Sequence, residues 1–312
     1  IDPATGQIDP SWTLQARTGT NGGRVSVKSI KIINDHIYLG GIFTHFQGNG
    51  ASWAYARNGA RLDINGKPDR SWNPEFNGSV IDVDENEAYY YAAGYFTRAH
   101  NQVVENAGRL STAAGAELDQ SWTFRHSYLI GKYQQTVTAA NGRVYFGGSQ
   151  HSLFGYNSDT MTRTSGSVTM YNGGDIQAST RSATGVVYAS CHCSDYTFQD
   201  AYQYLTLGTT WTRADEIQWV GGWDEATGRQ LGWTPYRLGS LRSTGAWALE
   251  MADDGALWAG GDFNYSYTSL TSGQWSGGFV RMPARNTTAP AVPANLRASD
   301  GNSKEVTLKW SS

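Results

Sequence analysis

The chain is short of charge: Asp, Glu, Lys and Arg make up only 16% of its 312 residues, with a formal net charge of −3. It has no basic tract, which excludes a phosphate-tracking surface and with it nucleic acid as a partner. It also lacks any apolar run long enough for a membrane span, so no membrane insertion is expected. Cysteine is nearly absent, with two residues in a single Cys-x-Cys, Cys191 and Cys193. No signal peptide is present, and Ile1 falls inside a motif that recurs later, so the chain reads as part of a larger one.

Glycine and aromatics are plentiful: 37 Gly, 12 Trp and 18 Tyr. Many turn-forming glycines and many aromatics with few charges fit short strands and tight turns better than helices. The order of those residues is repetitive. Ile30-Lys-Ile-Ile-Asn-Asp-His-Ile-Tyr-Leu-Gly-Gly41 is followed by Ile42-Phe-Thr44, and Val83 to Gly94 is followed by Tyr95-Phe-Thr97. Val137 to Gly148, the degenerate Ser182 to Cys191, and Leu249 to Gly261 continue the series. Each reads as a β-hairpin whose turn residues tolerate positive φ, such as Asn34-Asp35, Asn141-Gly142 and Asp254-Gly255.

A second element alternates with the first. Asp9-Pro-Ser-Trp12, Asp69-Arg-Ser-Trp72 and Asp119-Gln-Ser-Trp122 each follow a Gly turn, and Gly232-Trp233 is a remnant. Hairpin plus hairpin predicts a four-stranded unit of about fifty residues, the size of a propeller blade. The fold expected is therefore all-β, a β-propeller of about five four-stranded blades with more conceivable upstream. The stretch from Gln7 to Trp12 could supply the last blade's missing strand and close the ring. The four repeated tryptophans are expected in the core or between blades.

This alternation, apolar–Tyr–x–Gly–Gly–x–Phe–Thr and then Asp–x–Ser–Trp, resembles the delta-60-type repeats of bacterial secreted β-propellers. The first two copies match best; the third and fourth lose Phe-Thr and carry insertions. Past a Pro/Ala/Thr linker (284–294), Pro-Ala-Asn-Leu296 and Glu305-Val-Thr-Leu-Lys-Trp310 resemble the opening strands of a fibronectin type III module, truncated at 295–312. The propeller would occupy 1–283. The resemblance implies an extracellular or cell-surface location in a multidomain chain, and brings no catalytic residues with it. Sequons at Asn77, Asn264 and Asn286 agree with that location.

Function is expected on one rim, in the loops 44–54, 97–107, 149–167, 191–216 and 262–277. Aromatics there that could stack on sugar rings are Trp53, Tyr196, Tyr202, Trp211, Tyr265, Tyr267 and Trp275; packing between blades is the competing role. Cys191 and Cys193 are expected to pair with each other in an exported protein. His192 between them lacks the companions a zinc site needs, and no metal site is assigned. No cofactor is expected; calcium near Asp84-Glu-Asn-Glu87 would lack a recognised loop spacing. Asp82, Asp84 and Glu250 fall near first strands, but no acid recurs at one rank in every repeat, so no catalytic residue is assigned. The six histidines are scattered and read as surface or packing residues. The leading function is non-enzymatic binding or adhesion to a glycan or a cell-surface protein. A carbohydrate-active enzyme with acids at the channel mouth and an architectural spacer are the alternatives.

Overall fold

A computed structural model describes residues 1–2, 4–19, 23–126, 132–170, 174–232, 237–239, 245–267, 272–284, 294–300 and 306–311. Among these residues every regular element is a strand, and all pairing is antiparallel. Five sheets follow one another along the chain. Sheet I comprises Ser26–Ile33, His36–Ile42 and Gly59–Asp63. Sheet II comprises Val80–Glu85, Tyr89–Gly94 and Ala107–Ser111. Sheet III has Gln134–Ala140, Arg143–Gly148, Ser152–Asn157 and Arg163–Met170. Sheet IV has Ile176–Arg181, Val186–Cys191 and Val220–Asp224. Sheet V has Gly245–Met251, Leu257–Asp262 and Phe279–Met282.

The repeat seen in the sequence is a repeat of register. In every sheet the first strand carries one β-bulge opposite the Gly-Gly pair or its replacement. The bulge crowds the second glycine: a Cβ on Gly41 would lie 2.1 Å from the Ser26 carbonyl oxygen, and one on Gly94 2.2 Å from that of Ser79. Such contacts exclude a side chain, so glycine recurs there. Sheet IV keeps the same register with Cys191 at that place, paired with Ile176. The fourth hairpin thus departs in sequence while keeping the pairing register.

Among the described residues the expected fourth strand forms only in sheet III. In sheets I, II and IV it shrinks to single bridges, Leu62 to Pro68, Leu110 to Leu118 and Trp223 to Gln230. The cause is local. Asp69 Oδ1 accepts hydrogen bonds from the Ser71 N–H (2.8 Å) and hydroxyl (2.7 Å), and Asp119 does the same with Ser121. These aspartate turns bend the chain away from the ladder. Arg61 then anchors Asp69 at 2.6 Å, and Arg109 anchors Asp119. Both guanidiniums also donate onward, to the Thr112 carbonyl and to the Ser158 and Asp159 carbonyls respectively. The bend delivers Trp72 into the space between sheets I and II, where it is fully buried against Tyr38 and Tyr90. Its burial contributes roughly 5 kcal/mol before entropy is charged against it.

Consecutive first strands pack on one another, I on II, II on III, III on IV and IV on V. All five border one cavity of about 280 Å³. Closure through Gln7–Trp12 is not what the structure shows: those residues form turns, and Trp12 is exposed. Trp122 is half-buried between sheets II and III, stacked on Phe146; Trp233 lies outside the described residues. Near the C-terminus, Ala294–Asp300 and Val306–Ser311 form a separate two-stranded antiparallel pair.

Candidate functional site

The connections expected to be loops contain strands, some in small sheets of their own and others within sheet III. In the first, His45–Gln47 pairs with Gln15–Arg17 and Ala54–Tyr55. In the fourth, Tyr196–Gln199 and Arg213–Glu216 pair and extend sheet III along Arg163–Met170. In the fifth, Tyr265–Tyr267 lies between Arg237–Gly239 and Gly273–Trp275. A backbone ladder therefore fixes side chains that a free loop would leave unplaced.

The fourth connection builds a pocket. Cys191 and Cys193 are joined in a disulfide, Cα to Cα 5.1 Å, and both are fully buried. Trp219 locks that base: its carbonyl accepts from Cys191 N–H (2.9 Å) and its N–H donates to the Cys193 carbonyl (2.8 Å). Ile217 N–H donates to the Asp195 carbonyl at 3.0 Å. Two short segments, 194–196 and 216–218, are thereby held as facing walls. Gln218 Nε2 donates to the Leu238 carbonyl at 2.5 Å, tying these walls to the strand Arg237–Gly239. The open pocket between them, of about 420 Å³, is lined by Asp195, Tyr196, Glu216, Gln218 and Arg237, among others. Arg237 approaches Glu216 at 3.4 Å. An exposed phenol face beside carboxylates, an amide and a guanidinium offers stacking and hydrogen bonds of both senses.

The strand Arg237–Gly239 also connects this pocket to three more of the aromatics expected from sequence. Arg237 pairs with Tyr267, and Tyr265 meets Trp275 edge-on at 5.7 Å. Tyr196, Tyr265, Tyr267 and Trp275 thus belong to neighbouring elements, and Trp275 is the most exposed of them. The other three are engaged elsewhere. Trp53 lies half-buried under the Arg17 guanidinium at 4.2 Å. Tyr202 is half-buried beside Phe154, with Arg163 4.0 Å above its ring. Trp211 leans edge-on against Phe198 at 5.5 Å, although part of it stays exposed.

A second group went unnoticed in the sequence. The five bulges each insert one extra residue, Lys28, Ile81, Gln135, Gln177 and Trp247, and all five line the shared cavity. A nearly constant spacing before the Gly-Gly pair or its replacement was the available signal. Near them, Tyr133 donates its hydroxyl to Asp175 at 2.5 Å and stacks on exposed Tyr95.

The cavity acids have structural partners. Asp82 accepts from Ser29 Oγ, Thr136 Oγ1 and Val137 N–H, all at 2.9 Å, so one carboxylate joins three sheets. Asp84 accepts from Ala139 N–H at 2.8 Å. Burial pushes the Asp84 carboxyl up to about 6, against the opposing pull of Lys31. Lys31 in turn lies in the fields of Asp84, Asp82 and Glu250. Among the described residues no group of three or more His, Cys, Asp and Glu side chains is placed to hold a metal ion. His192 is turned to Gln177, and His151 to Asp175 at 3.4 Å.

No protein-family profile matches the chain, and no curated protein does. Solved structures similar to it include the computationally designed Ika8 protein, at 10% identity and a TM-score of 0.41 over 94% of this chain and 86% of that one. U3-55K is 7% identical, with a TM-score of 0.43 over 81% of this chain and 79% of its own. The extracellular domain of the putative one component system BT4673 from B. thetaiotaomicron is 14% identical, with a TM-score of 0.41 over 78% of this chain but 28% of its own.

Proposed function

We propose that the five sheets are blades of a β-propeller of the delta-60-repeat kind, and that the chain is a carbohydrate-binding module of an extracellular multidomain protein. The C-terminal strand pair then opens a fibronectin type III module. The observation that carries the reading is the pocket at Tyr196. A solvent-facing aromatic ring lies beside Asp195, Glu216, Gln218 and Arg237, in walls fixed by a disulfide and a backbone ladder. Sugar recognition needs that combination: a flat apolar face for the ring's C–H groups, with donors and acceptors set for its hydroxyls. Preorganised walls reduce the ordering cost of binding. The test is a glycan array with the 312-residue chain, followed by titration of each hit. Tyr196→Ala and Arg237→Ala should each weaken binding at least tenfold. Hits unaffected by both substitutions would remove this pocket, and an empty array would favour a protein partner or a spacer role.

A hydrolytic reading has one observation in its favour. Asp84, with its carboxyl raised by burial, and Glu250 line a second cavity of about 310 Å³ together, and a raised carboxyl suits a general acid. Release of reducing sugar from an array hit, abolished by Asp84→Asn, would establish it.

A further inference from the structure

The common bulge sets up an exact correspondence between residues of the five sheets, and it isolates two faces that break the pattern. Ile30 corresponds to Val83, Val137, Ser179 and Leu249, each one residue past the bulge pairing. Those four are at most 8% exposed, because each is covered by the sheet before it. Val83 clusters with Tyr38 of sheet I, Val137 with Tyr91 of sheet II, and Leu249 with Tyr188 of sheet IV. Ile30 is 61% exposed, and Ile32 on the same face is 66% exposed.

The opposite face of sheet V is bare in the complementary sense. Tyr38, Tyr91, Tyr145 and Tyr188 occupy one place in their second strands and are buried beneath the following sheet. The fifth counterpart, Trp258, is only half-buried. It stacks at 5.0 Å on Phe279, which is 60% exposed. Arg281 pairs across the strands with Trp258, as Arg61 does with Tyr38 and Arg109 with Tyr91. Arg61 and Arg109 are buried and donate to carbonyls beyond the next sheet's third strand; Arg281 stays at the surface, paired with Asp254 at 2.6 Å. Trp12, the counterpart of the buried Trp72, is exposed too.

We infer that these two faces are the walls of a slot for a sixth sheet of the same repeat, belonging to the same polypeptide. This rests on the propeller reading above. The occupant's chemistry is written in the four junctions already filled. Its first strand should carry an apolar residue at the place of Val83, as three of the four filled junctions do, to lie on Trp258 and Phe279. Its second strand must carry an aromatic at the place of Tyr38, to cover Ile30. Its third strand should carry an arginine at the place of Arg61 and Arg109 to pair with Asp9, whose turn with Ser11 (2.8 and 2.7 Å) copies those of Asp69 and Asp119. Sheet V cannot serve as sheet I's cover here, since both faces remain open while bordering one cavity. Six first strands would then surround the axis.

Thiol labelling tests this, because Cys191 and Cys193 are bonded to each other and leave an introduced cysteine as the reactive one. Ile30→Cys and, separately, Phe279→Cys are made in the 312-residue chain and in the full-length natural polypeptide, and labelled with a maleimide. Both sites should label freely in the shorter chain and at least tenfold more slowly in the longer one. Equal rates in the two overturn the inference. So does protection in the 312-residue chain that rises with concentration alongside a doubled mass, since a second copy would then be the cover. Val83→Cys distinguishes failure of the underlying reading: it stays protected in both chains if the sheets stack as described, and labels freely if they do not.

Discussion

Trp72 meets Tyr90 edge-on, ring centroids 4.8 Å apart, so a residue that follows sheet I is packed into sheet II. Neither sheet buries that indole alone. Trp72→Ala should lower stability by about 3–5 kcal/mol, the usual cost of emptying such a site. Trp12→Ala, at the exposed counterpart, should cost less than about 1 kcal/mol. Denaturant midpoints of the two variants measure the contrast, and equal losses would refute it.

Arg109 is the buried partner of Asp119 and a donor to the carbonyls of Ser158 and Asp159. Arg109→Met should cost about 3–5 kcal/mol, because it strands a carboxylate and two carbonyls. Adding Asp119→Asn to that variant should restore part of the loss. A double-mutant cycle in urea reads the coupling; strict additivity would show that the pair acts independently.

Two kinds of aspartate give opposite pH dependence. Burial alone would raise Asp69 and Asp119, but bonds from serine and arginine overcome it and hold both carboxyls below the usual range. Their stabilisation is present above the unfolded value of 3.8 and is lost as pH falls through the lower folded values. Asp84 behaves in reverse. With its folded value near 6, the folded state binds the extra proton between pH 4 and 6, and stability from this group declines as pH rises through that window. Asp84→Asn keeps an acceptor for Ala139 N–H, so it should raise the unfolding midpoint at pH 7 and leave it nearly unchanged at pH 4. A gain of the same size at both pH values would contradict the assignment.

Glycines of two kinds should respond differently. Gly94→Ala drives a Cβ into the Ser79 carbonyl and should cost several times more than Gly142→Ala. Gly142 has open space around it and only its φ of +68° to protect, a cost of about 1 kcal/mol. Thermal unfolding of both variants ranks them.

Replacing Cys191 and Cys193 together by serine removes a very small covalent loop, so the chain-entropy loss should be only about 1–2 kcal/mol. The larger effect should fall on the pocket whose wall begins at Cys193. Amide exchange at 194–196 and 216–218 should quicken in the double variant while sheet II is unchanged; uniform quickening would mean the disulfide supports the whole fold.

The hairpins and their order were legible because Gly-Gly and the Asx turns answer to backbone sterics, which sequence states directly. The fourth strands were misjudged because Asp-x-Ser-Trp looks extended, while its aspartate bonds two residues ahead and bends the chain. Closure by Gln7–Trp12 failed for the same reason. Aromatic roles depend on neighbours distant in sequence. Tyr202 is engaged by Arg163 and Phe154, whereas Tyr196 faces a pocket made with Arg237, and nothing local separates those outcomes. The bulges were hidden because an inserted residue shifts a strand's alternation by one position and so blurs the pattern that would mark it.

Those five insertions have an evolutionary consequence. Lys, Ile, Gln, Gln and Trp occupy positions 28, 81, 135, 177 and 247, each held by ladder pairs on both sides but itself outside the pairing. A lineage can therefore exchange the chemistry of the shared cavity one letter at a time, with little penalty to the scaffold that presents it.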